Sequence, residues 1–255
     1  MKQYIYAHRG ASAYAPENTM RAFQLAADMR ADGVELDVQL TRDRKIVVFH
    51  DETLERVTEE EGAVMSYTAD QLRKMRVTMR QPGEQGEEIP LLSEVLSFLK
   101  EKNMQVNIEL KNSVFRYFGM EELVLDAVAA AGMEDRVLYS SLNHYSMLRV
   151  KELNKNAPCG LLYQCTMVEP WRYAGSLGMN ALHPQFSELG EERETREAHR
   201  MNIEVNPWTV DRDSDLRRVI ALGADRIITN YPARARALMD EAEQIRNAMK
   251  QEENK

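Results

Sequence analysis

Two short segments of the chain place charged residues at alternate positions between apolar ones. Glu35 and Asp37 lie in the first segment, and Glu109 and Lys111 lie in the second. Because successive side chains of a β-strand point to opposite faces, the charged residues of each segment face the same side. Carboxylates that meet in a core repel one another unless a cation lies between them, and oxygen-only ligation favours Mg²⁺, Ca²⁺ or Mn²⁺ over Zn²⁺. We therefore predict that Glu35, Asp37 and Glu109 bind one divalent cation.

Two histidines follow other apolar segments and can complete a hydrolytic site. His8 follows the apolar run at 4–7, and His50 follows the run at 46–49. Beside a metal, one imidazole can deprotonate an attacking hydroxyl while the other protonates the departing alkoxide, which suits hydrolysis of a phosphodiester. We predict these acid and base roles for His8 and His50.

Three further residues are predicted to contact the phosphate or the substrate. Arg9 can clamp phosphate oxygens in a bidentate manner, and Lys111 supplies a positive charge near the carboxylates. Trp208 ends another apolar run, although core packing explains it equally well. Asn18 fits a helix N-cap better than a metal ligand. Two alternative interpretations compete with these assignments. The histidines could be structural, and Glu35 and Asp37 could lie on an edge strand and face solvent.

The composition restricts the classes of partner. A formal net charge of −8 over 255 residues argues against nucleic acid and anionic membranes, because phosphate-rich surfaces favour an excess of Lys and Arg. No apolar run approaches the ~18 to 20 residues of a membrane span, and the first residues lack a signal-peptide pattern, so we expect a cytoplasmic protein without stable membrane insertion. Cys159 and Cys165 lack zinc-ligand spacing and are predicted to be small core residues.

Short apolar runs alternate with helical periods along most of the chain. This alternation predicts an α/β fold with a mostly parallel sheet covered by helices, either closed into a barrel or open and doubly wound. In a barrel the strand ends meet at one rim, so the predicted site residues would converge. The predicted strands are 4–7, 34–38, 46–49, 106–110, 137–140, 160–163, 180–183, 203–208 and 226–229.

Three segments interrupt or end this alternation. Only about seven residues separate Val38 from Ile46, too few for a parallel crossover, so we predict an antiparallel hairpin; a turn at 42–45 would pair Asp37 with His50. Residues 51–92 are polar, with a weak helical signal near 68–75, and are predicted to be an insertion or lid within a single catalytic domain of residues 1–245. An amphipathic helix is expected from Pro232, followed by a charged tail at 246–255 that frays from Gln251.

The chain resembles the bacterial glycerophosphodiester phosphodiesterase family from residue 5 to about residue 240. Each motif alone is weak evidence for the family, but the full set in this order is specific to it. The resemblance implies a TIM-type (β/α)8 barrel, made irregular by the hairpin at 34–50 and the polar insertion. The segments that carry it are Ala7–Gly10, Pro16–Thr19, Glu35–Val38, Val48–Asp51 with Thr53–Arg56, Ile89–Leu92, Glu109–Lys111 and Trp208–Val210.

The resemblance also implies an activity. Family members hydrolyse glycerophosphodiesters, such as glycerophosphocholine, to sn-glycerol 3-phosphate and an alcohol. The family's metal positions fall on Glu35, Asp37 and Glu109, and its acid and base histidines fall on His8 and His50, in agreement with the assignment made from the residues. Attack by a glycerol hydroxyl through a cyclic phosphate and direct attack by water both remain open.

Two residues depart from the family pattern. Asp211 stands where the family usually has Asn after Trp-Thr-Val, and Asn230 stands where it usually has Asp between Thr and Tyr. We expect Asp211 to cap the following helix. Asn230 removes a carboxylate near the last predicted strand, which puts the local support of Trp208 in question.

Two other functions use the same residues. In lysophospholipase D-type hydrolysis the insertion would contact acyl chains, but its acidic clusters at 59–61 and 84–88 oppose this because such a lid needs an apolar surface. A catalytically silent barrel that binds phosphodiesters would be expected to lose a metal ligand or a histidine, and here the set is complete. The expected partners are a small glycerophosphodiester and one divalent cation; a homodimer is left open.

Overall fold

A curved sheet of parallel strands, covered by helices, forms the centre of the protein. The computed structural model describes residues 2–253. Most connections between parallel strands contain a helix, as a parallel crossover requires. The strands are β1 (Tyr4–His8), β2 (Gly33–Leu40), β3 (Ile46–Val48), β4 (Arg76–Val77), β5 (Glu87–Glu88), β6 (Gln105–Leu110), β7 (Val137–Ser141), β8 (Cys159–Tyr163), β9 (Ala181–Pro184), β10 (Glu204–Val205) and β11 (Arg226–Thr229). The helices are α1 (Met20–Asp28), α2 (Ala69–Leu72), α3 (Leu92–Glu101), α4 (Met120–Ala131), α5 (His144–Leu153), α6 (Pro170–Ser176), α7 (Glu192–Arg200), α8 (Asp213–Ala221) and α9 (Pro232–Glu253).

The sheet follows a barrel order. Within residues 2–253, eight parallel strands neighbour one another in the order β10-β9-β8-β7-β6-β2-β1-β11. The two ends of this order approach each other, because Val205 O accepts from Asp225 N at 2.8 Å and Pro207 O accepts from Ile228 N at 3.1 Å. The TIM-type barrel is confirmed, and the open doubly wound alternative is wrong. The predicted strand at 203–208 is shorter, at Glu204–Val205.

The side chains of β2 alternate between the apolar core under the helices and the interior of the barrel. Val34, Leu36 and Val38 are buried in the main apolar core, together with side chains of the surrounding helices. Each such side chain contributes about 1.5–3 kcal/mol by leaving water. Glu35 and Asp37 point the other way, into the barrel, and are buried as well. The apolar face of the strand thus anchors the position of its polar face.

The predicted hairpin is present, but its register differs by one residue. β3 pairs antiparallel with β2, with Val38 opposite Val48. Asp37 therefore lies opposite Phe49, whose N–H donates to Asp37 O at 3.0 Å, and the predicted pairing of Asp37 with His50 is wrong. The cause is the turn, which holds three residues between Thr41 and Lys45 instead of four. Arg44 adopts a left-handed conformation there, with φ 59°.

The polar insertion at 51–92 folds over a small core of its own. It contains α2, where helical signal was predicted, and a two-stranded antiparallel sheet formed by β4 and β5. Thr68 caps α2 in a capping box with Gln71. A second apolar cluster joins the insertion to β3 and the residue after it; its buried members are Val47, Phe49, Leu54, Val57, Val64, Leu72, Val77 and Ile89. The proposed role as a lid stays a prediction.

The C-terminal helix extends further than expected. α9 begins at Pro232, as predicted, and continues to Glu253, so the expected fraying from Gln251 is wrong for the described part of the tail. Asn254 and Lys255 lie outside the described residues. Within residues 2–253, no helix combines the length and the apolar character that crossing a bilayer requires.

Candidate active site

Strand register brings the predicted site residues together at the carboxyl ends of neighbouring strands. His8 at the end of β1 lies level with Glu35 on β2, and Asp37 lies level with Glu109 on β6. These side chains share the interior face of the barrel, since each occupies an alternate position along its strand. Alternation predicted the shared face, and the parallel register supplies the proximity.

Glu35, Asp37 and Glu109 form a buried acidic cluster in which one oxygen from each side chain lies within 4.8 Å of the others. Burial and the charges of Asp37 and Glu109 raise the pKa of Glu35 well above its ordinary value, and burial also raises the pKa of Glu109. Burial acts to raise the pKa of Asp37 too, but His50, Arg9 and Lys111 outweigh it and the pKa lies below its ordinary value. Three carboxyl groups therefore lie where water is scarce, and the ionisation of each opposes the ionisation of the others.

The acidic cluster fits a hard divalent cation. Its donors are all oxygens, which suits Mg²⁺, Ca²⁺ and Mn²⁺. Oδ1 of Asp37 is buried and has no hydrogen-bond partner within residues 2–253, although buried carboxylate oxygens ordinarily have one. Its approach to Lys111 Nζ is 3.9 Å, too long for a hydrogen bond. A cation bound to the cluster would supply the missing partner.

Two residues of the loop after β1 support the acidic cluster. The backbone N–H of Arg9 donates to Glu35 Oε2 at 3.1 Å, and Asn18 Nδ2 donates to Asp37 Oδ2 at 2.9 Å. The prediction of Asn18 as an N-cap is wrong, because Thr19 caps α1. Asn18 has φ 58°, a left-handed conformation that Asn tolerates better than most residues.

His8 lies between the acidic cluster and the loop after β11. Its Nδ1 is 2.7 Å from Asn230 Oδ1, and its Nε2 is 3.9 Å from Glu35 Oε2. Burial and the Arg9 guanidinium lower the pKa of His8 to about 3. In the metal-free protein the ring is therefore neutral at physiological pH.

His50 has a different partner. Its Nδ1 contacts the carboxylate of Asp51, and its Nε2 lies 3.2 Å from Lys111 Nζ. Burial alone would raise the pKa of Asp51, but hydrogen bonds from His50 and Arg56 lower it. Arg56, in the insertion, also donates to Glu17 at 2.5 Å and 2.9 Å. The Nδ1 atom of His50 thus contacts a carboxylate, whereas the Nδ1 atom of His8 contacts an amide oxygen.

The predicted phosphate contacts, Arg9 and Lys111, are already paired with carboxylates. Arg9 Nη1 donates to Glu17 at 2.8 Å, and Arg9 Nε is 3.3 Å from Asp37 Oδ2. Lys111 Nζ donates to Glu109 at 2.9 Å; burial would lower its pKa, but Glu109 and Asp37 raise it. Both side chains are positively charged and adjacent to the cluster. A bidentate clamp by Arg9 would need its guanidinium to exchange a carboxylate for the phosphate, and it stays a prediction.

Trp208 lies beyond the end of β10 and is only partly buried, so simple core packing does not describe it. Its Nε1 donates to the carbonyl oxygen of His183 at 2.7 Å. This bond fixes the indole near the carboxyl ends of the strands. Its contact with substrate stays a prediction.

The two residues that depart from the family pattern contact each other. Asp211 accepts from the backbone N–H of Asn230 at 2.9 Å and from its Nδ2 at 2.6 Å. The prediction that Asp211 caps α8 is wrong, because Arg212 occupies the N-cap position. The departure at Asn230 therefore affects the surroundings of His8, 2.7 Å away, whereas Trp208 is held by the His183 carbonyl.

One other expectation from the sequence differs from the structure. Cys159 is buried, as expected, but Cys165 is exposed because it follows β8 in a surface loop. Cys165 has no role in the site described above.

The fold and the site together define an α/β-barrel enzyme with a buried acidic centre at the carboxyl ends of its strands. The family model described as "Glycerophosphoryl diester phosphodiesterase family" matches residues 8–234. The chain belongs to this family.

Individual relatives agree with this membership. A glycerophosphodiester phosphodiesterase of Caldanaerobacter subterraneus subsp. tengcongensis is 42% identical over 234 residues, which cover 91% of this chain and 96% of that protein. An Oleispira antarctica phosphodiesterase, solved in complex with the product sn-glycerol-3-phosphate, is 25% identical with a TM-score of 0.82, and the match covers 94% and 97% of the two chains. A Parabacteroides distasonis glycerophosphodiester phosphodiesterase, 23% identical with a TM-score of 0.82 over 94% and 98% of the chains, shows the same fold.

Proposed function

We propose that this enzyme hydrolyses glycerophosphodiesters to sn-glycerol 3-phosphate and an alcohol, with one divalent cation held by Glu35, Asp37 and Glu109. The observation that carries the proposal is the buried acidic cluster, whose ligand atoms lie within 4.8 Å of one another, beside His8. When bound there, a divalent cation would neutralise charge on the phosphoryl oxygens. The product named for the Oleispira antarctica relative supports the same substrate class.

The two histidines divide the proton transfers according to their partners. His8 is neutral and presents Nε2 towards the acidic cluster, so it accepts the proton of the attacking hydroxyl as the new O–P bond forms. His50, whose Nδ1 contacts the Asp51 carboxylate, takes the other role and donates its proton to the leaving oxygen as the old P–O bond breaks. Lys111, 3.2 Å from His50 Nε2, must turn towards the phosphate for this step.

Two routes use this arrangement. If the attacking group is a glycerol hydroxyl, a cyclic phosphate forms first and water opens it with the histidines in exchanged roles. If water attacks directly, the same proton transfers give the products in one step. Both routes release sn-glycerol 3-phosphate and one alcohol, so product analysis alone does not separate them.

The test begins with protein stripped by EDTA. Mg²⁺, Ca²⁺ or Mn²⁺ is added back separately, and release of sn-glycerol 3-phosphate from glycerophosphocholine is followed in wild type and in His50→Ala. We expect a metal to restore activity in wild type only. Glu109→Gln should lose the metal response, whereas Glu101→Gln, at an exposed position on α3, should keep it.

Three other results would contradict the proposal. Turnover of lysophosphatidylcholine without turnover of glycerophosphocholine would favour the lysophospholipase D hypothesis. Metal binding without product from any headgroup would favour the silent barrel. Undiminished activity in Glu109→Gln would remove Glu109 from the metal site. The cytoplasmic location and the homodimer stay predictions.

A further inference from the structure

The loops that follow β10 and β11 meet beside His8. Asn230 lies between Asp211 and His8: its backbone N–H and its Nδ2 donate to Asp211 at 2.9 Å and 2.6 Å, and its Oδ1 is 2.7 Å from His8 Nδ1. Thr229 also donates to Asp211, at 3.2 Å. A carboxylate, an amide and an imidazole thus lie in a row at the carboxyl end of the barrel.

The chemistry of this row allows one orientation of the amide. A carboxylate only accepts hydrogen bonds, so Asn230 must turn its NH₂ group towards Asp211 and its oxygen towards His8. The opposite orientation would set two acceptor oxygens 2.6 Å apart, where they repel. The hydroxyl of Ser12 lies 2.6 Å from Asn230 Oδ1 and 2.8 Å from the His8 carbonyl oxygen. Its single hydrogen can be donated to either oxygen, so Ser12 is compatible with this orientation, and the Asp211 carboxylate is the group that selects it.

The amide oxygen in turn decides where a neutral His8 carries its proton. Asn230 Oδ1 has no hydrogen to donate, so the short contact requires a proton on His8 Nδ1. Nε2 then keeps its lone pair. It faces the acidic cluster, 3.9 Å from Glu35 Oε2 and 3.5 Å from Thr209 Oγ1.

We propose that Asp211 and Asn230 are positioning residues that hold His8 in its Nδ1–H tautomer. Asp211 acts through Asn230, and Asn230 acts through His8. Free histidine prefers the Nε2–H tautomer, so the contacts with Asn230 and Asp211 reverse that preference. The catalytic consequence rests on the proposed function, because only Nε2 with a free lone pair can take the proton of the attacking hydroxyl.

Exchange of the two residues tests the proposal. Asp211→Asn removes the charge that orients the amide, and Asn230→Asp sets two carboxylates against each other. In the double variant Asp211→Asn/Asn230→Asp, the amide and the carboxylate trade places, and an acceptor oxygen again faces His8 Nδ1. We expect each single variant to lower kcat for glycerophosphocholine about 10- to 100-fold with little change in KM, and the double variant to recover most of kcat.

A matched control removes a charge from the same region. Asp213→Asn breaks a surface contact with Arg234 at the start of α8 and should leave kcat unchanged. Wild-type kcat in Asp211→Asn would overturn the proposal, as would a double variant no better than the worse single variant.

A second readout does not depend on activity. Side-chain ¹⁵N spectra of the metal-free protein, with His8→Gln to assign the signal, report which ring nitrogen carries the proton. We expect protonation at Nδ1 in wild type and in the double variant, and a signal from the Nε2–H form in Asp211→Asn. A merely structural role would lower the melting temperature without changing the tautomer.

The two readouts separate the two proposals. A wild-type His8 that is protonated at Nε2 overturns the positioning role, whatever the activity. A wild type with the Nδ1–H tautomer that releases no sn-glycerol 3-phosphate overturns the proposed function and supports the assignment of the proton.

Discussion

Asp37 and Glu109 occupy opposite positions on the neighbouring parallel strands β2 and β6, and both are buried. With Glu35, they hold three carboxylates close together inside the barrel. In the metal-free protein this proximity costs stability, because each negative charge raises the free energy of the others in a medium of low dielectric constant.

Glu35→Gln is expected to stabilise the metal-free protein and to weaken metal binding. The amide keeps the size of the side chain and an acceptor for the Arg9 N–H, but removes one of the repelling charges. We expect a gain of about 1 kcal/mol in the free energy of unfolding and a loss of at least about 10-fold in metal affinity. Urea unfolding with EDTA and titration calorimetry with Mn²⁺ measure the two effects; a destabilised variant with wild-type metal affinity would contradict both.

The stability that Glu35 and Glu109 contribute to the metal-free protein should fall as pH rises above the range where free Glu ionises. The pKa values of Glu35 and Glu109 lie above their ordinary value of 4.5, so the folded state holds more protons than the unfolded state between the two values. Their contribution to the unfolding free energy therefore decreases through that window as pH increases. Burial lowers the pKa of His8 and of His183 to about 3, so these two groups add a contribution that increases up to the pKa of a free histidine. Urea unfolding in EDTA from about pH 4.5 to 8 therefore compares wild type with Glu35→Gln, which keeps both histidines. The difference in unfolding free energy should shift in favour of the variant as pH rises, and a constant difference would place the proton uptake elsewhere.

Asp51→Asn should lower kcat more than it raises KM. The Asp51 carboxylate contacts His50 Nδ1, and its replacement by an amide weakens the contact that orients the ring. We expect kcat to fall about 10- to 100-fold, measured by steady-state kinetics with glycerophosphocholine. Asp70→Asn, at an exposed position in the first turn of α2, is the matched control. A change in KM alone would assign Asp51 to substrate binding instead.

Gly160→Ala should destabilise the barrel. A Cβ at Gly160 would lie 2.4 Å from Nε2 of His183, which is fully buried and has little room to move. We expect a loss of about 1–3 kcal/mol in the free energy of unfolding, measured with urea. Gly190→Ala is the control, because the nearest atom to its Cβ is a Glu194 oxygen at 3.8 Å. Equal stability of the two variants would show that β9 adjusts to the extra methyl group.

The sequence predicted which side chains share one face of the barrel better than it predicted the contacts around them. Charged and apolar residues alternate around Glu35, Asp37 and Glu109 within individual strands. Residue types alone predict this kind of local pattern. The error at His50 came from the length of one turn, which shifted the hairpin register by one residue. A one-residue change in a turn leaves little trace in composition.

Contacts between distant loops were beyond prediction. Asp211 and Asn230 each depart from the family pattern, but nothing in the sequence places them in contact. Asn18 next to Asp37 and Arg56 next to Asp51 depend on how loops fold over the strand ends. A search for oppositely charged side chains near the site motifs could have found Arg56, which follows Asp51 by five residues.

The pairing of β1 with β11 has a consequence for synthesis of the chain. His8 leaves the ribosome early, but its partner Asn230 follows 222 residues later. At about 5–20 residues per second, His8 waits on the order of tens of seconds for that partner. During this interval β2 and β6 can already align the carboxylates, so a nascent chain can acquire its acidic cluster before His8 contacts Asn230. Under the proposed role of His8, the catalytic site is therefore complete only when β11 closes the barrel.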